Sequence, residues 1–339
     1  MPSDEPLKIA DIAKVRVLTF PIALSSSLRT GPIPAHPLSN KPIVVTRLTD
    51  GLGNQLFQYA AGRALANRLD ADLLIDREWF KTRYDRHYEL DAFAIEAQGA
   101  AATGETYRQW PLIKKLLGKS FAHFVHDIIP SQIDIDGRHF SIFVEKYDYQ
   151  YDRLFERLSG SIYLKGFWQS ARYFETASDV VRQELRFKNN ARTANVNWVD
   201  RVRNTLSVSM HVRRGDYLLS ADRWTCPKDY YDNAMSFLRS RLESPHFFIF
   251  SDDPAWCQEN FEAQDTTVVN DDQFRKGLDD LNLMTACRHH IIANSSFSWW
   301  GAWLANRPGQ IVIAPKCWVV GQPTGDSLRS KCWSHFLTL

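Results

Sequence analysis

The sequence predicts an α/β protein of two Rossmann-like domains with a cleft between them. Three observations lead there. Short apolar runs rich in β-branched and aromatic residues alternate with segments of helical spacing, once near residue 43 and again from residue 206 onward. Each alternation implies parallel strands with helices packed on the sheet. The segments bearing Gly, Arg, Asp and Ser follow the strands directly, where open α/β sheets bind ligands.

Taken in order, residues 1–40 read as an extension ending in a linker, because Gly31-Pro32-Ile33-Pro34-Ala35-His36-Pro37 favours extended backbone. A first domain is expected over 41–200. Its βαβ unit runs through the buried strand Ile43 to Leu48, a turn at Gly51 and Gly53, a helix from Leu56 to Leu69 and a strand from Asp72 to Asp76. The middle is less patterned. Lys146 to Leu158 is rich in Tyr, Asp and Arg, Ser161 to Leu164 reads as a strand, and Ala171 to Phe187 as a helix. A second domain is expected over 201–339. Its strands are Leu206–Val212, His246–Phe250, Thr267–Val269, His289–Ala293 and Ile311–Ile313, and its helices Tyr230–Leu242, Gly277–Cys287 and Phe297–Ala305.

Composition excludes several classes. With 44% hydrophobic residues the chain can bury a core, and a net charge of +2 argues against nucleic-acid binding as its main function. No run reaches the roughly 18 apolar residues of a membrane span. The best, Val17 to Leu28, is short and holds Pro21, and the residues before it mix acids with bases. A cytoplasmic location is expected. The five cysteines are odd in number and widely spaced, which indicates neither a disulfide framework nor a zinc site.

Four segments carry chemistry. His211-Val212-Arg213-Arg214-Gly215-Asp216-Tyr217 follows a strand; a guanidinium fork matches phosphate oxygens, Gly215 permits a sharp turn, and Asp216 can hold one guanidinium in place. An internal Arg–Asp ion pair is the plainer reading of the same residues. In Asp50-Gly51-Leu52-Gly53-Asn54-Gln55, a glycine turn entering a helix can bind an anion, and Asn54 and Gln55 can donate to a sugar or phosphate. A nicotinamide fingerprint is also conceivable, with Asp76 as the ribose acid, but Leu56 occupies the third glycine position. Asp252 and Asp253 end a strand; they can accept from a guanine edge or cap the next helix. Asn294-Ser295-Ser296-Phe297-Ser298 joins a strand to a helix and suits a phosphate or ribose, while Trp299, Trp300 and Trp303 read as core.

Gly51 to Ala60, the His211–Tyr217 segment and Asn294 to Leu304 together resemble the three signatures of the bacterial α-1,2-fucosyltransferases of glycosyltransferase family 11. Gly166 to Phe174 and Arg86-His87-Tyr88-Glu89-Leu90 are also similar to that family, and the resemblance runs from about 43 to 315 in order. It implies a GT-B-like fold, GDP-β-L-fucose as donor, inversion to an α-1,2-fucoside on an oligosaccharide acceptor, and no metal or other cofactor. On that reading Arg213 and Arg214 stabilise the departing diphosphate with Asp216 behind them. Gly51, Gly53, Asn54, Gln55, His211, Asp252, Asp253, Asn294, Ser295, Ser296, Phe297 and Ser298 surround the donor. A lipid-linked acceptor would bring the protein to a membrane surface. Fucosyl transfer in another linkage, a nicotinamide-dependent oxidoreductase and a non-catalytic glycan-binding protein are the alternatives. The family has a glycine where Asp50 stands. Asp50, His211 and Asp222 are the candidates for a general base, and none is needed if departure of GDP leads and proton transfer follows late.

Overall fold

The apolar run that opens the first βαβ unit becomes β1 (Ile43–Arg47), with Val44 and Val45 fully buried between layers. It pairs in parallel with β2 (Asp72–Asp76), Ile43 opposite Asp72. The computed structural model describes residues 41–82, 85–100, 132–135, 138–188, 196–218, 225–270, 277–319, 322–323, 328–333 and 335–339. Expectations for residues 1–40 and for Asp222 lie outside the described residues.

β1 and β2 belong to a six-stranded sheet completed by β3 (Gln98–Ala100), β4 (Gln132–Ile135), β5 (Arg138–Val144) and β6 (Ile162–Lys165), in the order β3-β2-β1-β6-β5-β4. Only the β4–β5 pair is antiparallel. The second sheet contains β7 (Leu206–Val212), β8 (Pro245–Ser251), β9 (Thr266–Val268), β10 (His289–Ile291), β11 (Ile311–Ala314) and β14 (His335–Thr338), in the order β14-β11-β10-β7-β8-β9, and is wholly parallel. A two-stranded ribbon, β12 (Cys317–Val319) with β13 (Gln322–Pro323), stands apart. A mostly parallel sheet and a wholly parallel one, with crossover helices, are the GT-B-like α/β architecture the sequence predicts.

The helices are α1 (Leu52–Leu69), α2 (Ser178–Glu184), α3 (Val196–Arg203), α4 (Gly215–Leu218), α5 (Lys228–Arg239), α6 (Pro254–Phe261), α7 (Gly277–Ala286) and α8 (Ser296–Ala305). Two expectations change here. α1 begins four residues before Leu56, because the Gly51 carbonyl already accepts from Asn54 N and Gln55 N; the glycine turn is the first helical turn. The expected helix Ala171–Phe187 is broken into two short 3-10 turns and α2. Phe174 leaves helical geometry at φ −136, ψ 8 and buries its ring against Trp300 at 5.4 Å, stacked.

That contact belongs to an aromatic core joining the two halves. Phe57 of α1 meets Trp299 at 4.6 Å and Trp300 at 5.0 Å, both on α8. Trp299, Trp300 and Trp303 are fully buried. Each such ring removes 150–250 Å² from water, roughly 4–6 kcal/mol of transfer free energy at about 25 cal/mol per Å². The core therefore runs through α1 and α8 from one sheet to the other. This fixes the amino ends of both helices at the carboxyl edges of the sheets.

Candidate active site

A cleft of about 820 Å³ lies where the strand ends of the two sheets meet. Its first wall is the entry to α1. Its second is the entry to α8. The two come into direct contact because Gly53 has no side chain: a Cβ there would sit 2.6 Å from Phe297 N and from Ser296 Oγ. Asn54 secures the junction, its Oδ1 accepting from Ser296 Oγ at 3.0 Å and from Gln169 Nε2 at 2.7 Å. Neither helix carries a side-chain cap, at Gly51 or at Ser295. The leading N–H groups of a helix, ahead of those that bond Gly51 O in α1 and Ser295 O in α8, have no intrahelical acceptor, so two helix amino ends border one space.

Arg213, just past β7, enters the same space. Its Nη2 lies 2.6 Å from Asp216 Oδ1 and its Nη1 2.8 Å from Asp252 Oδ2, so two carboxylates orient the guanidinium. Gly215 makes this possible, since a Cβ there would meet Asp252 Oδ2 at 2.8 Å. Arg86, from the segment before β3, approaches Asp216 Oδ2 at 3.8 Å and links the first half of the chain to the second. His211 is buried with its ring 5.5 Å from that of Phe297, and both line the cleft.

The structure thus brings Gly51, Gly53, Asn54, His211, Arg213, Asp216, Asp252, Asn294, Ser295, Ser296 and Phe297 to one cleft. Four expected residues are turned elsewhere. Arg214 Nε binds Asp253 Oδ2 at 3.1 Å and its guanidinium lies 4.0 Å over Trp256, because neighbours at a strand end project to opposite sides. Asp253 caps α6, accepting from Trp256 N. Gln55 is fully buried and clamps two loops: its Nε2 donates to Asp50 O and His87 O, and its Oε1 accepts from Glu89 N. Ser298 is buried one turn inside α8, donating to Ser295 O. Asp252, read as a possible guanine acceptor, instead spends its oxygens on Arg213 and on Arg214 N. The Asn294 amide binds Trp318 O and the Cys226 thiol.

Glu89 lines the cleft and was not singled out as a site residue, although it lies in Arg86-His87-Tyr88-Glu89-Leu90. Burial raises its carboxyl above the ordinary range, against the pull of Arg86 and His87. Its neighbour Tyr88 is likewise raised by burial. Asn270, Gly277, Asp280, Trp318 and Val319 are further wall residues that no motif announced. Among the described residues no group of three or more His, Cys, Asp or Glu is placed to hold a metal ion, and no helix is long and apolar enough to cross a membrane.

A polar cleft at the strand ends of two α/β sheets is shared by many enzymes, so the family has to come from the chain itself. The model of glycosyl transferase family 11 matches residues 139–332, more than half of the chain. The chain belongs to glycosyl transferase family 11. An α-1,2-colitosyltransferase of Escherichia coli is 33% identical over 285 residues, 81% of this chain and 92% of its own. The O-antigen biosynthesis glycosyltransferase WbnK of Escherichia coli is 28% identical, covering 81% of this chain and 94% of its own. A galactoside α-(1,2)-fucosyltransferase 1 of Saimiri boliviensis boliviensis is 32% identical over 42% of each chain. Membership of this glycosyltransferase family displaces the oxidoreductase and glycan-binding alternatives. In this family 11 glycosyltransferase the cleft holds all three signature segments: the α1 entry, the Arg213 segment and the α8 entry.

Proposed function

We propose that this family 11 chain transfers L-fucose from GDP-β-L-fucose to the 2-hydroxyl of a galactoside, with inversion and without a metal ion. The observation that carries the reading is the meeting of two uncapped helix ends and Arg213 at one cleft. Helix-end amides and a guanidinium that exchanges a carboxylate for phosphate are the donors a diphosphate needs where no metal serves it. The sugar and the linkage rest on the resemblance of the signature segments and on the α-1,2 linkage in the relatives' names.

The acceptor oxygen attacks the anomeric carbon opposite the diphosphate. The carbon–oxygen bond to the β-phosphate breaks, and its electron pair departs on GDP. Arg213 and the first-turn amides of α1 and α8 stabilise that charge. For Arg213 to turn toward a phosphate it must loosen from Asp216, and Arg86 stands ready for the released carboxylate. Glu89 takes the acceptor proton: it is a partly desolvated carboxylate on the cleft wall with a raised proton affinity, whereas Asp216 and Asp252 are engaged by Arg213. The relative that acts in O-antigen biosynthesis supports a lipid-linked oligosaccharide as acceptor, reached at the inner face of a membrane.

A second donor is favoured by one observation, the colitosyltransferase relative. Colitose lacks the 3-hydroxyl of fucose, and a site that hydrogen-bonds a hydroxyl discriminates against its absence by about 10⁴-fold or more. The test is transfer to a β-galactoside from GDP-fucose and from GDP-colitose, in chelator, with the product linkage assigned by NMR. The reading expects an α-1,2-fucoside and a preference for GDP-fucose. Preference for GDP-colitose replaces the sugar; turnover that requires a metal removes the electrostatic argument.

A further inference from the structure

A smaller recess of about 140 Å³ opens beside the cleft, lined by Asp50, Asn54, Asp148, Tyr149, Phe167 and Gln169. We propose that it is the subsite for the acceptor's terminal sugar, a neutral pyranoside whose ring face packs on Phe167 and Tyr149. The proposal rests on the donor reading above, because Asp50, Asn54, Tyr149 and Gln169 line both spaces. An occupant of the recess meets the donor at the entry to α1.

The chemistry of the walls is that of a sugar site. Two aromatic residues, Tyr149 and Phe167, are among its walls, and aromatic rings pack on pyranose C–H groups. The polar groups offer both hydrogen-bonding senses. Asn54 Oδ1 is taken by Gln169 Nε2 at 2.7 Å and by Ser296 Oγ at 3.0 Å, which leaves the Asn54 amide hydrogens and Gln169 Oε1 for a ligand. Asp50 and Asp148 add acceptors and repel an acidic sugar such as a uronate. The volume suits one ring rather than a longer glycan, so the rest of the acceptor extends into solvent.

Backbone geometry points to the same place. Among the described residues six non-glycine residues have positive φ; two of them line the recess, Asp50 at 63° and Tyr149 at 59°, and a third, Trp168 at 57°, directly follows Phe167 in the chain. Such conformations persist where surroundings over-determine them, and they gather at ligand sites. The surroundings here do so. Glu145 Oε2 accepts from Phe167 N at 2.6 Å and Trp168 N at 2.9 Å. Gln58 Nε2 donates to Gly166 O at 3.1 Å, and Gln55 Nε2 holds Asp50 O at 2.9 Å. The Asp50 and Phe167 walls are held before any ligand arrives, which lowers the ordering cost of binding.

Saturation-transfer NMR on the full chain tests this, with methyl β-D-galactopyranoside and methyl β-D-glucuronide as probes and GDP binding followed in parallel by calorimetry. The wild type is expected to bind the galactoside and not the glucuronide. Phe167→Trp, which fills the recess, and Asp148→Leu, a change at an exposed side chain, should each weaken the galactoside at least tenfold and leave GDP binding within twofold. Galactoside affinity unchanged in both variants overturns the proposal, as does a glucuronide bound equally well or a wild type that binds neither. Loss of GDP binding alone, with the galactoside still sensitive to Phe167, would remove the donor reading and keep the recess as a sugar site.

Discussion

Gly53→Ala is the sharpest perturbation of the junction between the two helix ends. The new Cβ would lie 2.6 Å from Phe297 N and Ser296 Oγ and 2.7 Å from the Ser296 carbonyl carbon, against an ordinary contact of 3.4 Å or more. The entries of α1 and α8 must therefore separate by about 0.8 Å, the difference of those two distances. Overpacking of this kind typically costs about 1–3 kcal/mol. Alanine returns up to about 1 kcal/mol through its helix propensity. The net loss of stability is expected to be modest, a fall in Tm of a few degrees. Activity should suffer more, because a shift on the order of 1 Å in a positioning group costs about a hundredfold in rate. The assay is kcat/KM for the nucleotide sugar beside a thermal melt of the same preparation. A Gly53→Ala enzyme with kcat/KM within threefold of wild type would refute the idea that the two helix ends form one site.

Three further outcomes follow from the geometry. Arg213→Lys keeps the charge but loses the planar fork held by Asp216 and Asp252, so kcat should fall about tenfold to a hundredfold; a fall confined to KM would argue against a leaving-group role. Glu89→Gln should lower kcat/KM at least tenfold and remove the acid limb of the pH–rate profile, since the raised carboxyl loses its basic form as pH falls; an unchanged profile would exclude Glu89 as the proton acceptor. Burial pushes the Glu145 carboxyl from 4.5 up to about 7. The folded protein then binds that proton more tightly than the unfolded chain, so stability falls as pH rises between about 4.5 and 7, by up to about 3 kcal/mol. Melts of wild type and Glu145→Gln should diverge across that window, with the wild type losing ground toward high pH; parallel curves would contradict the assignment.

The sequence made legible what depends on periodicity and missed what depends on rotation and contact. β1 and β2 were readable as short apolar runs of buried parallel strands, and β7 by the strict alternation of Leu206, Val208, Met210 and Val212 with polar residues. The β4–β5 pair was not, since an antiparallel edge has no crossover helix to announce it. The expected helix Ala171–Phe187 shows the other limit: Phe174 leaves helical geometry where its ring stacks on Trp300, and no local pattern records that contact. The same holds in the site. All three signature segments reach the cleft, yet within each the neighbours part company. Arg213 faces it and Arg214 does not; Asn54 lines it and Gln55 is buried behind; Ser296 and Phe297 line it and Ser298 is buried inside α8; outside the signatures, Asp252 orients Arg213 while Asp253 caps α6. Adjacent residues project in different directions from a strand end or a helix turn, so a motif names a segment and only the fold selects its members. Glu89 and Asp148 carried no spacing signal, because their place depends on loops brought in from distant sequence.

Calorimetric titration of GDP in chelator, at one fixed ionic strength, into the wild type and Arg213→Ala tests the central claim most directly. The expected result is metal-free binding by the wild type and at least tenfold weaker binding by the variant, with both proteins folded by their melts. Equal affinity of the two proteins for GDP, or binding only when a divalent cation is added, would contradict it.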